Sequence, residues 1–406
     1  MRPLTTAFPA LRHRNFRLFV IGQFISLCGT WMQTVAQGWL VLQLTNSAFA
    51  VGLVSMLGSL PVLLFTLYGG VLADRVNRRR SVILLQSLML VEALTLALLT
   101  VSHRVTVHWV MALALFLGSC AAFEVPIRQA FLMEMVGRED LMNAIALNSS
   151  VFNVTRIIGP AIAGSLIAAA GLAVCFFANA LSYVAVLAGL AVMRLPVERP
   201  GNGRVEGRGL FSEGVRYAMG ESRPRALLLL MATYSVFGFS FIAMLPVFAR
   251  EVLGTGAAGY GGLMSAVGIG AAGGALAIAG FGRKLRGDWR GHRLIRGAGI
   301  LFGLSLVAVA VARVYLVAAL LLGLAGCAMI LNNVMTNTLL QTEAPDQMRG
   351  RIMGFYSWVV LGMAPFGALL AGWISERFGV PVALAFGGGI CVIATLVITR
   401  PLGRRP

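Results

Sequence analysis

The chain has 406 residues, 58% of them hydrophobic and 12% charged, and its 33 basic against 15 acidic side chains give a formal net charge of +18. So little charge excludes an ordinary soluble domain, where about a quarter of residues are charged, and points to a bilayer as the solvent. The basic excess suggests nucleic acid at first sight, but its placement along the chain argues for membrane topology instead.

A spanning helix takes about 20 mostly apolar residues. Runs of that kind fall at 16–43, 49–73, 81–102, 107–136, 141–170, 172–193, 225–252, 256–281, 294–312, 315–342, 351–375 and 380–399, so twelve spans are predicted. Arginines precede the first run, as in a signal peptide. That run is too long, however, and lacks a small-residue cleavage site, so an uncleaved first helix is expected. Place the N-terminus in the cytoplasm. Every Lys and Arg then falls on the cytoplasmic side, except Arg104, Arg250, Arg313 and Arg377 at outer loops or span edges, and Arg128 and Arg156 within spans. This is the positive-inside pattern, and it predicts a multi-pass protein of the inner membrane with both termini cytoplasmic.

Span one carries Gln23, Ser26, Thr30, Gln33 and Gln37 at alternating spacings of three and four, which sets five hydrogen-bonding side chains on one stripe. Lipid penalises such a stripe, so it faces protein or a wet cavity. Lining a substrate pathway is the preferred use; helix–helix hydrogen bonding is the alternative. Between spans two and three runs GGVLADRVNRRRSV, residues 69–82. A carboxylate there, at Asp74, can meet the positive N-terminus of another helix, such as the one starting near Gly350. With its arginines it would form a cytoplasmic latch, whereas the bland use of the loop is to set orientation.

Charges inside spans are costly unless paired or hydrated, so each is a functional pointer. Glu92 is central in span three, and in span four Glu124 and Arg128 stand one turn apart, where they can pair. Glu124 is the first candidate for proton handling, held evenly against a structural pair with Arg128. Glu92 is a weaker candidate, better read as structural. Arg156 lies in span five just before Gly159-Pro160, with Asn153 and Ser149 on its face. It holds an anionic substrate or ties its span to a carboxylate. Gly159-Pro160 is expected to bend the helix.

The polar interval 194–224 separates residues 1–193 from 225–406, six spans each, and LFSEGVRYAM within it suits a short amphipathic helix on the membrane surface. The halves echo each other. SAFAVGLVSMLGSLP matches GAAGYGGLMSAVGIG, and IIGPAIAG matches GMAPFGALLAG, at an offset near half the chain. A duplicated six-helix unit follows, as in transporters with two bundles around a midplane site. In the second copy of the loop Lys284 aligns with Asp74. In span eight, GIGAAG fits a dinucleotide fingerprint but follows no strand. Gly262, Ala266, Gly270 and Gly274 read instead as a packing stripe. Span ten repeats the polar idea with Asn333, Asn337 and Gln341, beside Asn332 and Thr336.

The five cysteines are isolated within spans and the four histidines scattered, so neither disulfides nor a metal site are expected. The single lysine, Lys284, does not fit a Walker motif, which leaves an ion gradient as the energy source.

Gly70, Leu72, Ala73, Asp74, Arg75, Arg78 and Arg79 match the loop signature of the major facilitator superfamily, G-x-L-a-D-r-x-G-r-R, and the whole chain resembles that family. Asn77 stands where the pattern has glycine and tolerates a left-handed backbone. Span one and RIIGPAIAG resemble the branch containing enterobactin exporters and macrolide efflux pumps. The resemblance implies that helix 11 is the partner of the Asp74 latch, that span three is peripheral, and that spans one, four, seven and ten line the pathway. TRIIGPAIAG partly resembles the antiporter signature of exporters, with Thr155 and Ala163 in place of glycines.

The expectation is an all-α membrane protein, with twelve helices in two pseudo-symmetric six-helix bundles of the major facilitator fold. It would be a monomer without cofactor or nucleic-acid partner, exporting an amphipathic drug or siderophore in exchange for protons. An importer or uniporter of the same fold, or a membrane scaffold without solute flux, are the alternatives.

Overall fold

A computed structural model describes residues 8–73, 75–193, 210–281 and 288–400. Among the described residues there is helix and no strand. Twelve helices among the described residues are long and apolar enough to cross a membrane. They are Arg14–Thr45, Ala48–Thr66, Arg78–Val101, Val107–Val136, Leu141–Ala170, Leu172–Val192, Ser222–Val252, Ala257–Gly280, Gly291–Val311, Tyr315–Glu343, Met348–Phe378 and Val380–Ile398. The expected all-α, twelve-span fold is therefore the one the chain adopts. Spans five and six, and spans eleven and twelve, are each separated by one glycine of positive φ, Gly171 at 85° and Gly379 at 86°. Only glycine takes that backbone cheaply, and the same device closes the last hairpin of each half.

Local details add to the sequence reading. Asn77 is extended, with φ −70° and ψ 105°, and its Oδ1 accepts from the Arg80 N–H at 2.9 Å. Its use is to cap the span-three helix, not to supply a left-handed turn. Span five passes through Pro160 as one uninterrupted helix. Span eleven is instead two helices, Asp346–Gly362 and Ala364–Phe378, with Pro365 in the first turn of the second, where its missing N–H is harmless. Span seven contains two π-helical turns, Tyr234–Gly238 and Phe248–Val252. A helix does run through the expected amphipathic segment, at Leu210–Gly220.

The chain forms two compact units, Met1–Leu40 with Leu60–Val205, and Val41–Ser59 with Glu206–Pro406. Glycines let helices close in both. In unit one, a side chain at Gly29 would strike Ser182 and Asn179, and one at Gly159 would strike Trp31 and the Cys28 carbonyl. These contacts seat spans six and five on span one. A buried apolar cluster including Phe16, Phe19, Ile127, Phe131 and Leu190 fills the space at one end. In unit two, Gly270 lies on the Gly323 backbone, Gly274 on Cys327 and Gly326 on Val267, so the small-residue stripe of span eight seats it against span ten. Gly303 and Gly388 do the same for spans nine and twelve. Gly52 meets Ala368 and Gly372 within unit two, and Glu376 accepts from Ser47 Oγ at 3.0 Å and the Phe49 N–H at 3.1 Å. The first turn of span two is thus capped by a carboxylate from span eleven.

Candidate functional site

Unit one holds its polar side chains in two small networks. Glu92, 1% exposed, accepts from Gln33 Nε2 at both carboxylate oxygens, at 2.9 and 3.1 Å. Gln33 Oε1 in turn accepts from Asn179 Nδ2 at 2.7 Å, and Ser182 Oγ donates to the Asn179 carbonyl at 2.7 Å and to its Oδ1 at 3.1 Å. The chain Glu92–Gln33–Asn179–Ser182 joins spans three, one and six. No described cation pairs with Glu92.

The second network is ionic. Glu124, 5% exposed, accepts on Oε1 from Arg128 Nε at 2.9 Å and from Gln86 Nε2 at 3.1 Å. Two carboxyls on neighbouring spans therefore differ in one respect: Glu124 is neutralised by a guanidinium, while Glu92 is held by a neutral amide.

The rest of the predicted stripe divides. Gln23 and Ser26 are buried with Gln33, whereas Thr30 and Gln37 are half-buried. Thr30 Oγ1 donates to the Ser26 carbonyl at 3.0 Å. Gln33 is thus engaged in helix–helix bonding, and Gln23 Oε1 is buried without a protein partner. Arg156 joins neither network; its Nε and Nη2 are buried and unpartnered.

In unit two, span ten bonds to spans nine and eleven and within itself. Asn332 Nδ2 donates to the Ile295 carbonyl at 3.1 Å, Tyr356 O–H to Asn333 Oδ1 at 3.0 Å, and Gln341 Nε2 to Asn337 Oδ1 at 2.6 Å. Thr336 Oγ1 is buried without a partner.

Of the loop residues, Asp74 and Lys284 lie outside the described residues. Gly70 and Arg75 are exposed. Arg78 donates to Glu134 at 2.6 Å and to the Ala73 carbonyl at 3.1 Å. Arg79 donates from Nε and Nη2 to the Leu190 carbonyl at 3.0 and 2.7 Å, and from Nη2 to Ala191 at 3.1 Å. These arginines cap the carboxyl ends of spans two and six, where orphan carbonyls carry partial negative charge.

Sequence reasoning missed Asn179, Ser182 and Gln86. The signal for Asn179 was present: it is the only side-chain amide in span six, and a lone amide in an apolar helix needs a partner.

Twelve apolar spans with polar groups tied inside them define a multi-pass membrane protein. The chain matches the transmembrane secretion effector family over residues 5–402 and belongs to it, within the major facilitator superfamily. It is 27% identical over 398 residues to a staphyloferrin A transporter of Staphylococcus aureus, covering 94% of each chain. It is likewise 27% identical over 388 residues to the enterobactin exporter EntS of Escherichia coli, covering 95% of this chain and 91% of that one. Among solved structures it resembles the nucleoside transporter NupG, with a TM-score of 0.75 at 13% identity, over 97% of this chain and 100% of that one. It also resembles a bacterial homologue of the human lysosomal transporter Spinster, with a TM-score of 0.73 at 15% identity, over 96% of both chains. These structural likenesses bear on the fold.

Proposed function

We propose that the protein is a secondary active exporter that moves an amphipathic organic compound, of the siderophore or drug class, in exchange for protons. Access alternates as two six-helix bundles rock. The protein lies in the inner membrane, with both termini in the cytoplasm as the distribution of arginines favours. The observation that carries the coupling is the pair of buried carboxyls on spans three and four, Glu92 and Glu124, each hydrogen-bonded to a side-chain amide. Such groups within a span serve proton relays by default. The siderophore class is favoured by the names of the two relatives, and export by the name of one.

The test is transport of a catecholate or carboxylate siderophore in everted vesicles, with and without a protonophore. Proton coupling predicts that collapse of the gradient stops uptake into these vesicles. Glu124→Gln and Glu92→Gln are then compared. If Glu124→Gln transports as well as wild type and keeps its pH dependence, Glu124 is not a coupling group. If both variants do so, the carboxyls are structural. A specific observation, the Glu124–Arg128 pair at 2.9 Å, favours that second reading, in which the fold works as an importer or uniporter. That reading predicts transport indifferent to the protonophore.

A further inference from the structure

Among the described residues of unit one, Arg156 is a cation whose inner edge is left unsatisfied. It stands inside the Leu141–Ala170 helix, roughly 22 Å along the axis from its start. Its Nε and Nη2 are buried and have no hydrogen-bond partner among the described residues. These two nitrogens share one edge of the guanidinium and present parallel N–H groups, the fork that fits both oxygens of a carboxylate. Arg79 shows the same edge at work, since its Nε and Nη2 converge on the Leu190 carbonyl.

The described acids of unit one are engaged elsewhere. Glu92 is held by Gln33, Glu124 by Arg128 and Gln86, Glu134 by Arg78, and Asp140 by His13 at 2.8 Å. Glu139 is exposed in the turn after span four. The helix face of Arg156 carries an aromatic ring and a glycine as well as polar residues. Phe152 and Gly159 share its helix face at spacings of four and three. The Phe152 ring meets Trp31 edge-on, with centroids 5.8 Å apart, and Gly159 abuts the Trp31 side chain. Phe152 remains 42% exposed. Asn148, two turns earlier on that face, has a buried Oδ1 without a partner. An unpaired cationic fork next to a partly open aromatic pair matches a molecule with an oxyanion at one end and an apolar body.

We infer that the Nε–Nη2 edge of Arg156 docks a carboxylate of the transported compound, with Phe152 and Trp31 receiving its apolar part. This deepens the export reading and rests on it, naming an amphipathic carboxylate as the substrate class. An isosteric neutral amide carries no charge and sets an NH2 group where the carboxylate has its second acceptor oxygen, so the site favours the carboxylate.

The probes are 2-naphthylacetate and 2-naphthylacetamide, added to the full-length protein in nanodiscs. Phenylglyoxal labelling of Arg156 is read by peptide mass spectrometry. Saturating naphthylacetate should slow that labelling by about fivefold or more, and the amide should not, because only the carboxylate occupies the fork. In equilibrium binding, Arg156→Gln should weaken the carboxylate by about tenfold or more and Arg156→Lys by less, as a point charge replaces a bidentate fork, while amide binding stays the same. Equal labelling with both probes, or an Arg156 that never reacts, overturns the subsite. Should Arg156→Gln fail to fold, the lysine variant and the wild-type labelling decide. Flux of naphthylacetate in proteoliposomes separates the two readings. Flux without protection of Arg156 overturns the subsite and leaves export standing; protection without flux supports the subsite and counts against export.

Discussion

Gln33→Leu should destabilise the protein by about 3 kcal/mol, although it keeps the size of the side chain. The substitution removes both N–H contacts to the Glu92 carboxylate, at 2.9 and 3.1 Å, and the acceptor of the Asn179 amide, at 2.7 Å. A hydrogen bond to a charged group contributes about 1.5–3 kcal/mol and a neutral one about 1. Interhelical bonds in bilayers average lower, about 0.6 kcal/mol. Glu92, however, is left without a donor among the described residues at 1% exposure, which moves the total to the upper end. Glu92→Leu alone orphans only Gln33 Nε2 and should cost about 1.5 kcal/mol. The double variant orphans only Asn179, so it should cost close to about 1.5 kcal/mol rather than the roughly 4.5 of additivity. Reversible unfolding in mixed micelles of dodecyl sulfate and a mild detergent, followed by circular dichroism, reads all three. Losses that add to within about 0.5 kcal/mol would refute the network.

Gly270→Ala should cost stability while Gly273→Ala on the same helix should gain up to about 1 kcal/mol, since a methyl at 270 strikes the Gly323 backbone and one at 273 meets nothing. Thermal unfolding in detergent checks the opposite signs. Arg79→Gln should lower stability by about 1–3 kcal/mol through the Leu190 and Ala191 carbonyls, whereas Arg80→Gln, at an exposed position, should change it little; the same melts decide. Glu376→Ala should raise amide exchange at Phe49 and cost about 1 kcal/mol, as for any lost helix cap; unchanged exchange there would dismiss the cap.

The spans, their number and the in-span charges were legible because lipid makes each unsatisfied polar group expensive, so their positions stand out against an apolar background. Partners were not legible. Gln33 lies 59 positions from Glu92 and 146 from Asn179, and nothing in one stripe states which helix it faces. Prolines were ambiguous for a related reason. Pro61, Pro126, Pro160 and Pro246 all sit inside helices, while Pro365 opens a new one. The missing N–H is the same in each, and the surrounding packing decides whether the ladder restarts. At Asn77 the residue type suggested a left-handed backbone, but its side chain does more as a cap on span three.

In a bundle solvated by lipid, satisfied and orphaned polar atoms have different uses. At the proposed subsite, an orphan such as the Arg156 fork would gain a partner from the solute with no existing bond to break. A satisfied group reports instead on its own protonation. The Gln33 amide donates to both oxygens of Glu92, an arrangement that suits an ionised carboxylate. A proton on one oxygen adds a donor there and weakens that oxygen as an acceptor for the Gln33 N–H. Any adjustment of the amide is passed on, because its Oε1 holds Asn179 of span six. Under the proposed coupling, a single proton at Glu92 disturbs the contacts among spans three, one and six together, without reaching the substrate group at Arg156. Recognition and coupling can therefore use separate residues of the same unit.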